Sequence, residues 1–342
     1  MISNSDILFI SLLKIPGFGQ VSLNRFLSYL VAKEIALPKD NYREFQNVIS
    51  QFLDYSRGLN IRKIPHVSFD YDFQISFQSL LESVHMIEKN NRINQIRMIS
   101  RLDKEYPPLL KAIKNPPLIL HCKGEISSLQ SSLTVAVIGT RDPSEYIIKK
   151  IPSVLERFIA EGFTIVSGLA VGCDTMGHSA AVAERKPTIA ILAGGLHDIY
   201  PQENTALAQK ILDNNGLLIS ELPYGVNPGR YTFVLRDRIQ SGLSYGIFVI
   251  ETGLKGGTMK TVNYAHEQGR LIACSHYQME DEIAKNHDKF QGNIYLAENK
   301  KYLAKKIFDE DTLQSFLNAI KERHLLQSKS KVLSSNNQIL MY

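Results

Sequence analysis

The run Thr134-Val135-Ala136-Val137-Ile138-Gly139-Thr140-Arg141-Asp142-Pro143 decides the fold. Five β-branched or apolar residues end on a glycine that lets the chain turn. A strand apolar on both faces has to be covered on both. Runs of the same kind recur at Phe163–Val166, Thr188–Leu192, Leu217–Ser220, Ile247–Ile250 and Leu271–Cys274. Between most of them, stretches near 145–161, 175–185, 203–214 and 258–268 have the length and apolar period of helices. The alternation predicts an α/β domain: a doubly wound, mostly parallel Rossmann-like sheet that binds at the C-terminal ends of its strands.

Outward from this core the chain changes character. Residues 1–95 are rich in helix formers and predict a small N-terminal helical domain. Within it, Lys14-Ile15-Pro16-Gly17-Phe18-Gly19 leads into Gln20–Leu27, the pattern of a helix-hairpin-helix. The glycines would let backbone N–H groups approach a phosphate, or would simply make a tight turn between packed helices. Tyr106-Pro107-Pro108 and Asn115-Pro116-Pro117 break regular structure, and Leu118–Cys122 reads as a strand. The Rossmann-like domain is placed at 96–298, with His276–Gly292 as a loop. Residues 299–342 are expected to form a short tail, helical near 301–323 and disordered at its end.

Bulk properties exclude more than they assign. At 342 residues, 44% hydrophobic and 21% charged, the composition is that of an ordinary globular protein. No apolar run approaches the roughly 18 to 20 residues that cross a membrane. The N-terminus lacks the basic start and cleavage site of a signal peptide. Cys122, Cys173 and Cys274 are far apart and fit neither a zinc site nor a disulfide framework, so a cytoplasmic setting is expected. The net charge of +5 is concentrated in the tail, where eight Lys or Arg face four Asp or Glu from Lys300 onward. Charge alone therefore does not establish a nucleic-acid partner.

Four segments carry chemistry. Gly139 and Arg141 follow the first strand, where a guanidinium suits a phosphate. Ser167, Gly168 and Gly172 precede a candidate helix and are expected to offer an anion-binding loop. Asp174 and His178 stand four apart and would share one helix face; with no third ligand, a helix cap and a packed imidazole are the better reading than a metal site. Pro228–Ile239 interleaves Arg230, Arg236 and Arg238 with Tyr231 and Phe233, a loop whose cations would meet phosphates while a ring stacks on a base. Glu251–Thr261 opens a further helix with Gly257, Thr258 and Lys260, again suited to an anion. No Ser-His-Asp or Cys-His arrangement can be assigned, and neither a cofactor nor a metal is expected.

The order of these segments is similar to that of the DprA/Smf family. It is carried by Ile138–Arg141, Ser167–Asp174 with His178, Tyr200-Pro201 with Asn204, Ser220–Pro223 with Gly225, Phe233 with Arg236–Ile239, Gly242–Ser244, Glu251-Thr252, Gly257-Thr258 and Glu267–Arg270. Tyr106-Pro107 and Pro116-Pro117 with Lys123-Gly124 resemble the family's entry into its Rossmann-like domain. The resemblance spans roughly residues 99–274. It implies a non-catalytic protein that binds single-stranded DNA as a homodimer and loads a RecA-type recombinase in natural transformation or recombination. Carried over by motif, Arg141, Phe233, Arg236 and Arg238 would contact DNA, with Arg230 and Lys260 as additions.

Three departures stand out. Arg236-Asp237-Arg238 replaces the family's Arg-Asn-Arg, the Pro-Gly after the last strand is replaced by Ser275-His276, and the tail leaves no room for the usual winged helix. The alternative is a nucleotide-derivative hydrolase or sensor of the related LOG type. Those proteins place a carboxylate just after the glycine-rich loop. Here Met259, Lys260 and Thr261 stand there, and Glu251 is the nearest acid.

Overall fold

Alternation along the strands builds the core. In β3 (Thr134–Ile138) the side chains of Val135 and Val137 enter one apolar cluster and those of Ala136 and Ile138 another. Successive strand residues point to opposite faces, so an all-apolar strand demands a helical layer on each side. One cluster receives Ile147, Ile151, Leu155 and Phe158 of α3 (Glu145–Ala160) and Cys173 and Ala181 of α4 (Cys173–Ala183). The other receives Val262 and Ala265 of α7 (Gly257–Glu267) and Leu296 of α8 (Gln291–Glu298).

The computed structural model describes residues 20–33, 35, 42–59, 82, 85–131, 133–276 and 288–339. They fall into two compact units, Met1–Asp103 with Leu118–His121, and Lys104–Pro117 with Cys122–Tyr342. In the first, α1 (Gln20–Ala32) and α2 (Tyr42–Gly58) pack through Phe26 and Phe52, whose rings meet edge-on at 5.1 Å. Leu30, Phe45, Ile49 and Leu53 complete that small core. The helix-hairpin-helix turn at Lys14–Gly19 lies outside the described residues. β1 (Arg97–Ser100) is hydrogen-bonded to β2 (Ile119–Gly124).

In the second unit β4 (Thr164–Ser167), β5 (Thr188–Leu192) and β6 (Leu217–Ser220) step outward from β3 on one side. The chain then returns to place β7 (Gly246–Val249), β8 (Leu271–Ser275) and β9 (Lys305–Ile307) on the other. Every one of these neighbours is parallel, with Ala136 opposite Val166 on β4 and Ile247 on β7. The reversal between β3 and β7 opens a crevice above the C-terminal strand ends, the position where such sheets bind ligands. The fold is the expected one.

Two expectations are corrected. Arg230–Gly242, read as a loop over 230–238, is a helix, α6. β-branched and aromatic residues weaken its helical signature, and burial of its last two turns outweighs that preference. Residues 299–342, read as a short tail helical near 301–323 with a disordered end, carry β9 and α9 (Glu310–Ile339), which overlaps the expected helix and runs beyond it. Leu313, Phe316, Leu317 and Ile320 of α9 are buried against Phe158 and its neighbours, the rings of Phe158 and Phe316 meeting edge-on at 6.3 Å. α5 (Thr205–Asp213) covers the β5–β6 side. Among the described residues no helix is long and apolar enough to cross a membrane, and the three cysteines are buried and free.

Because Phe316 fills a packed interior, Phe316→Ala is expected to lower unfolding free energy by about 3–5 kcal/mol in urea denaturation. A loss under 1 kcal/mol, as for an exposed tail, would contradict this placement.

Candidate functional site

Helix α6 organises the crevice. Phe233, Arg236, Asp237 and Gln240 follow the i, i+3, i+4, i+7 spacing of one helix face, and all four line the cavity. The opposite walls are Ile138–Arg141 at the end of β3, Ala170 and Asp174 beyond β4, and Thr252, Gly253 and Lys255–Thr258 beyond β7. The crevice has a volume of about 350 Å³.

At its base sits a buried cation. The Arg236 Nη1 donates to the carbonyls of Gly168 at 2.5 Å and Ile191 at 2.6 Å, while Nε donates to Asp237 Oδ1 at 3.1 Å. A guanidinium taken out of water needs such partners. Asp174 faces the same region: its Oδ2 accepts the N–H groups of Gly168 at 3.1 Å and Ala170 at 3.3 Å. Burial pushes the Asp174 carboxyl up from its ordinary value, against the pull of Arg236. Asp237 is pushed up to about 6, by burial first and by Asp174, opposed by Arg236 and Lys260. His178 turns away to Thr188 Oγ1, 2.8 Å from its Nδ1, and burial holds it down near 3, hence neutral. No group of three or more His, Cys, Asp or Glu suited to a metal occurs among the described residues.

Several of the expected contact residues are largely engaged within the protein. Arg236 is 7% exposed, and with Nη1 and Nε bonded to the protein it braces the crevice that it lines. Arg238, also 7% exposed, forms a bidentate pair with Glu221 at 2.6 and 2.9 Å and donates from Nε to the Asn115 carbonyl. One helix cannot turn residues 236, 238 and 230 to one side, since each step rotates by about 100°. The start of the loop Ser167–Gly172 faces inward, while Ala170 lines the crevice. The Ser167 hydroxyl donates to the Val137 carbonyl at 2.6 Å, and the Gly168 N–H is taken by Asp174. A Cβ at Gly168 would lie 2.0 Å from Arg236 Nη1, and one at Gly172, where φ is +81°, 2.5 Å from the Thr140 carbonyl. These glycines permit close packing.

Other expected residues do converge on solvent. Arg141 is exposed and its guanidinium lies 5.6 Å from the centre of the Phe233 ring, within cation–π range. Tyr200, half exposed, meets Phe233 edge-on at 5.6 Å. Arg230 and Lys260 are exposed on α6 and α7 without ion pairs among the described residues. Gly257 opens α7 with free space around it, and Thr258 Oγ1 donates to the Gly139 carbonyl at 3.0 Å, tying that helix start to β3. The sequence reading gave no role to Tyr200, Lys255 or Gln240. Tyr200 stood in the Tyr200-Pro201 motif and Lys255 beside Gly256-Gly257, but only the fold brings them to Phe233 and the crevice. Glu251, the acid on which hydrolysis would depend, is 1% exposed, and its two oxygens accept the Ser144 N–H and hydroxyl, each at 2.7 Å.

A carboxyl with a folded value above its unfolded one favours the folded state at low pH and loses that contribution as pH rises through the folded value. Replacing Asp237 by Asn, which keeps an acceptor for Arg236, removes the cost of ionisation. Asp237→Asn is expected to gain on wild type between pH 4 and 7 and to level off above, by up to about 3 kcal/mol in urea unfolding. A stability difference constant over that range would refute the assignment.

Comparison with known proteins adds a lineage to this geometry. Residues 97–312 match the family model "DNA recombination-mediator protein A". The chain is 37% identical over 196 residues to the DNA processing protein DprA of Bacillus subtilis, covering 57% of this chain and 65% of that one. It is 41% identical over 167 residues to Protein Smf of Escherichia coli, covering 49% and 44%. It thus spans less than two thirds of either relative. The DprA structure from Streptococcus pneumoniae superposes with a TM-score of 0.63 at 25% identity, over 87% of this chain and 99% of that one. DNA processing protein A from Helicobacter pylori, studied for its single-stranded DNA binding mode, superposes with a TM-score of 0.56 at 27% identity, over 67% and 97%.

Proposed function

Because this chain belongs to the DNA recombination-mediator protein A family, we propose that it binds single-stranded DNA without cutting it and promotes the loading of a RecA-type recombinase. The observation that carries this reading is the solvent-facing assembly of Arg141 on the Phe233 ring, backed by Tyr200, at the mouth of the switch-point crevice. An unpaired strand offers phosphates and bare base faces together. A cation beside a ring meets both, and it does so for any sequence. Arg141, Arg230, Lys255 and Lys260 supply exposed positive charge around the ring, and the open N-terminus of α7 at Gly257 adds backbone N–H groups for a phosphate. Arg236 and Arg238 serve by fixing α6 in place, not by touching DNA. Binding as a homodimer, in the cytoplasm, during DNA uptake or recombination, completes the proposal.

Expected effects divide accordingly. Phe233→Ala should weaken binding to a single strand by about 1–3 kcal/mol at every salt concentration, in fluorescence anisotropy titrations. Arg141→Ala should weaken it and also flatten the plot of log affinity against log salt by about 0.7, the share of one phosphate on a single strand. Arg238→Ala should leave the slope alone and lower stability by about 3–5 kcal/mol, since Glu221 loses its partner. Unchanged affinity and slope in both Arg141→Ala and Phe233→Ala would overturn the proposal.

A further inference from the structure

Glu251 follows β7 at the switch point and is 1% exposed, yet it does not line the crevice. A buried carboxyl costs folding free energy unless its lone pairs are filled. Both oxygens of Glu251 are filled by one residue, Ser144: Oε2 accepts its N–H and Oε1 its hydroxyl, each at 2.7 Å. The main-chain carbonyl of Glu251 accepts the Thr140 N–H, also at 2.7 Å. A single residue at the end of β7 thus grips the loop beyond β3 at both ends. Arg141, Asp142 and Pro143 span the interval.

Each grip has a reason in the local sequence. Ser144 is the N-cap of α3, its Oγ accepting the Ile147 N–H at 3.4 Å. In a capping box, a Glu or Gln three residues after the cap returns to the cap's N–H. Ile147 stands there and cannot, so Glu251 supplies the acceptor from a neighbouring strand. The positive end of the helix favours a carboxyl in that place. Between the grips, the Asp142 N–H donates to Thr140 Oγ1 at 3.2 Å, and the Asp142 carboxylate pairs with Lys289. The loop backbone is therefore tied down on either side of Arg141, whose exposed side chain reaches the Phe233 ring.

We propose that Glu251 is a positioning residue for single-strand binding: it fixes the Thr140–Ser144 loop so that Arg141 is held at the Phe233 ring before a strand arrives. The inference rests on the single-strand reading above and adds to it a residue that touches no DNA. A long side chain on a loose loop loses backbone and rotamer freedom when it meets a phosphate, and a loop fixed in advance has less to lose. Glu251 does for Arg141 what Arg236 does for Phe233. A carboxyl that served only to cap α3 would contribute to stability and nothing to affinity.

The test is a pair of double-mutant cycles on the full-length protein, read by fluorescence anisotropy with an oligothymidylate of about 15 nucleotides. Glutamine at 251 keeps the shape but fills only one of the two places with an acceptor. Arg141→Ala is expected to weaken binding about fivefold near 0.1 M salt, the worth of one phosphate on a single strand. Glu251→Gln should weaken it about threefold, the order of ordering one side chain on binding. Together they should again give about fivefold, not the product of about fifteenfold. With Lys260→Ala, on α7, the effect of Glu251→Gln should multiply instead. Ser144→Ala removes one link and leaves the buried carboxyl in place; it should repeat the pattern, and it decides the matter if Glu251→Gln does not fold. Wild-type affinity in the folded variants, or effects that multiply with Arg141→Ala, would overturn the inference and leave Glu251 as a cap. Coupling to Lys260→Ala as well would mark a general loosening of the domain and overturn it too. Wild-type affinity in Arg141→Ala would overturn the single-strand reading itself, and the inference with it.

Discussion

The buried guanidinium of Arg236 is the constraint on which the site depends. It joins the Gly168 carbonyl beyond β4, the Ile191 carbonyl on β5 and the Asp237 carboxylate on its own helix. Strand ends of a parallel sheet leave carbonyls that need donors, and a planar fork with five N–H groups meets several at once. A lysine has the charge without the reach. By fastening α6 across two strand ends, this one side chain determines where Phe233 emerges, one turn earlier on the same face.

The glycines around it follow from the same requirement. Gly168 leaves room for the guanidinium, and Gly172 lets the loop beyond β4 lie against the Thr140–Arg141 backbone. That contact steers the chain so that Arg141 leaves the strand end towards the Phe233 ring. Thr258 completes the arrangement by binding α7 to the Gly139 carbonyl. Glycine-rich turns above a Rossmann-like sheet suggest anion binding when read as sequence. In this protein Gly168 and Gly172 serve close packing, whereas the Gly257 turn opens to solvent.

The sheet was legible because its strands are apolar on both faces, a pattern that only burial on two sides explains. Helix α6 was not, because Tyr231, Thr232, Phe233 and Val234 carry strand preferences that tertiary packing overrides. That single misreading propagated: a loop permits three arginines to face one strand of DNA, and a helix does not. β9 is three residues long and went unread, while the helix expected near 301–323 was placed early and cut short relative to α9, whose Phe316 and Ile320 are core residues. Arg141 and Phe233 were singled out by separate motifs, and the fold brings them together with Tyr200 and Gln240 through three-dimensional proximity.

Helix α6 is divided along its length. Its first turn, Arg230–Phe233, reaches solvent, while Arg236–Gly242 is buried to the last residue. Adhesion and architecture thus occupy successive turns of one element. A descendant could exchange the cation at 230 or the ring at 231 and retune its grip on a polymer with no disturbance to the scaffold, whereas any change after 235 would be felt by the whole domain before it was felt by the ligand.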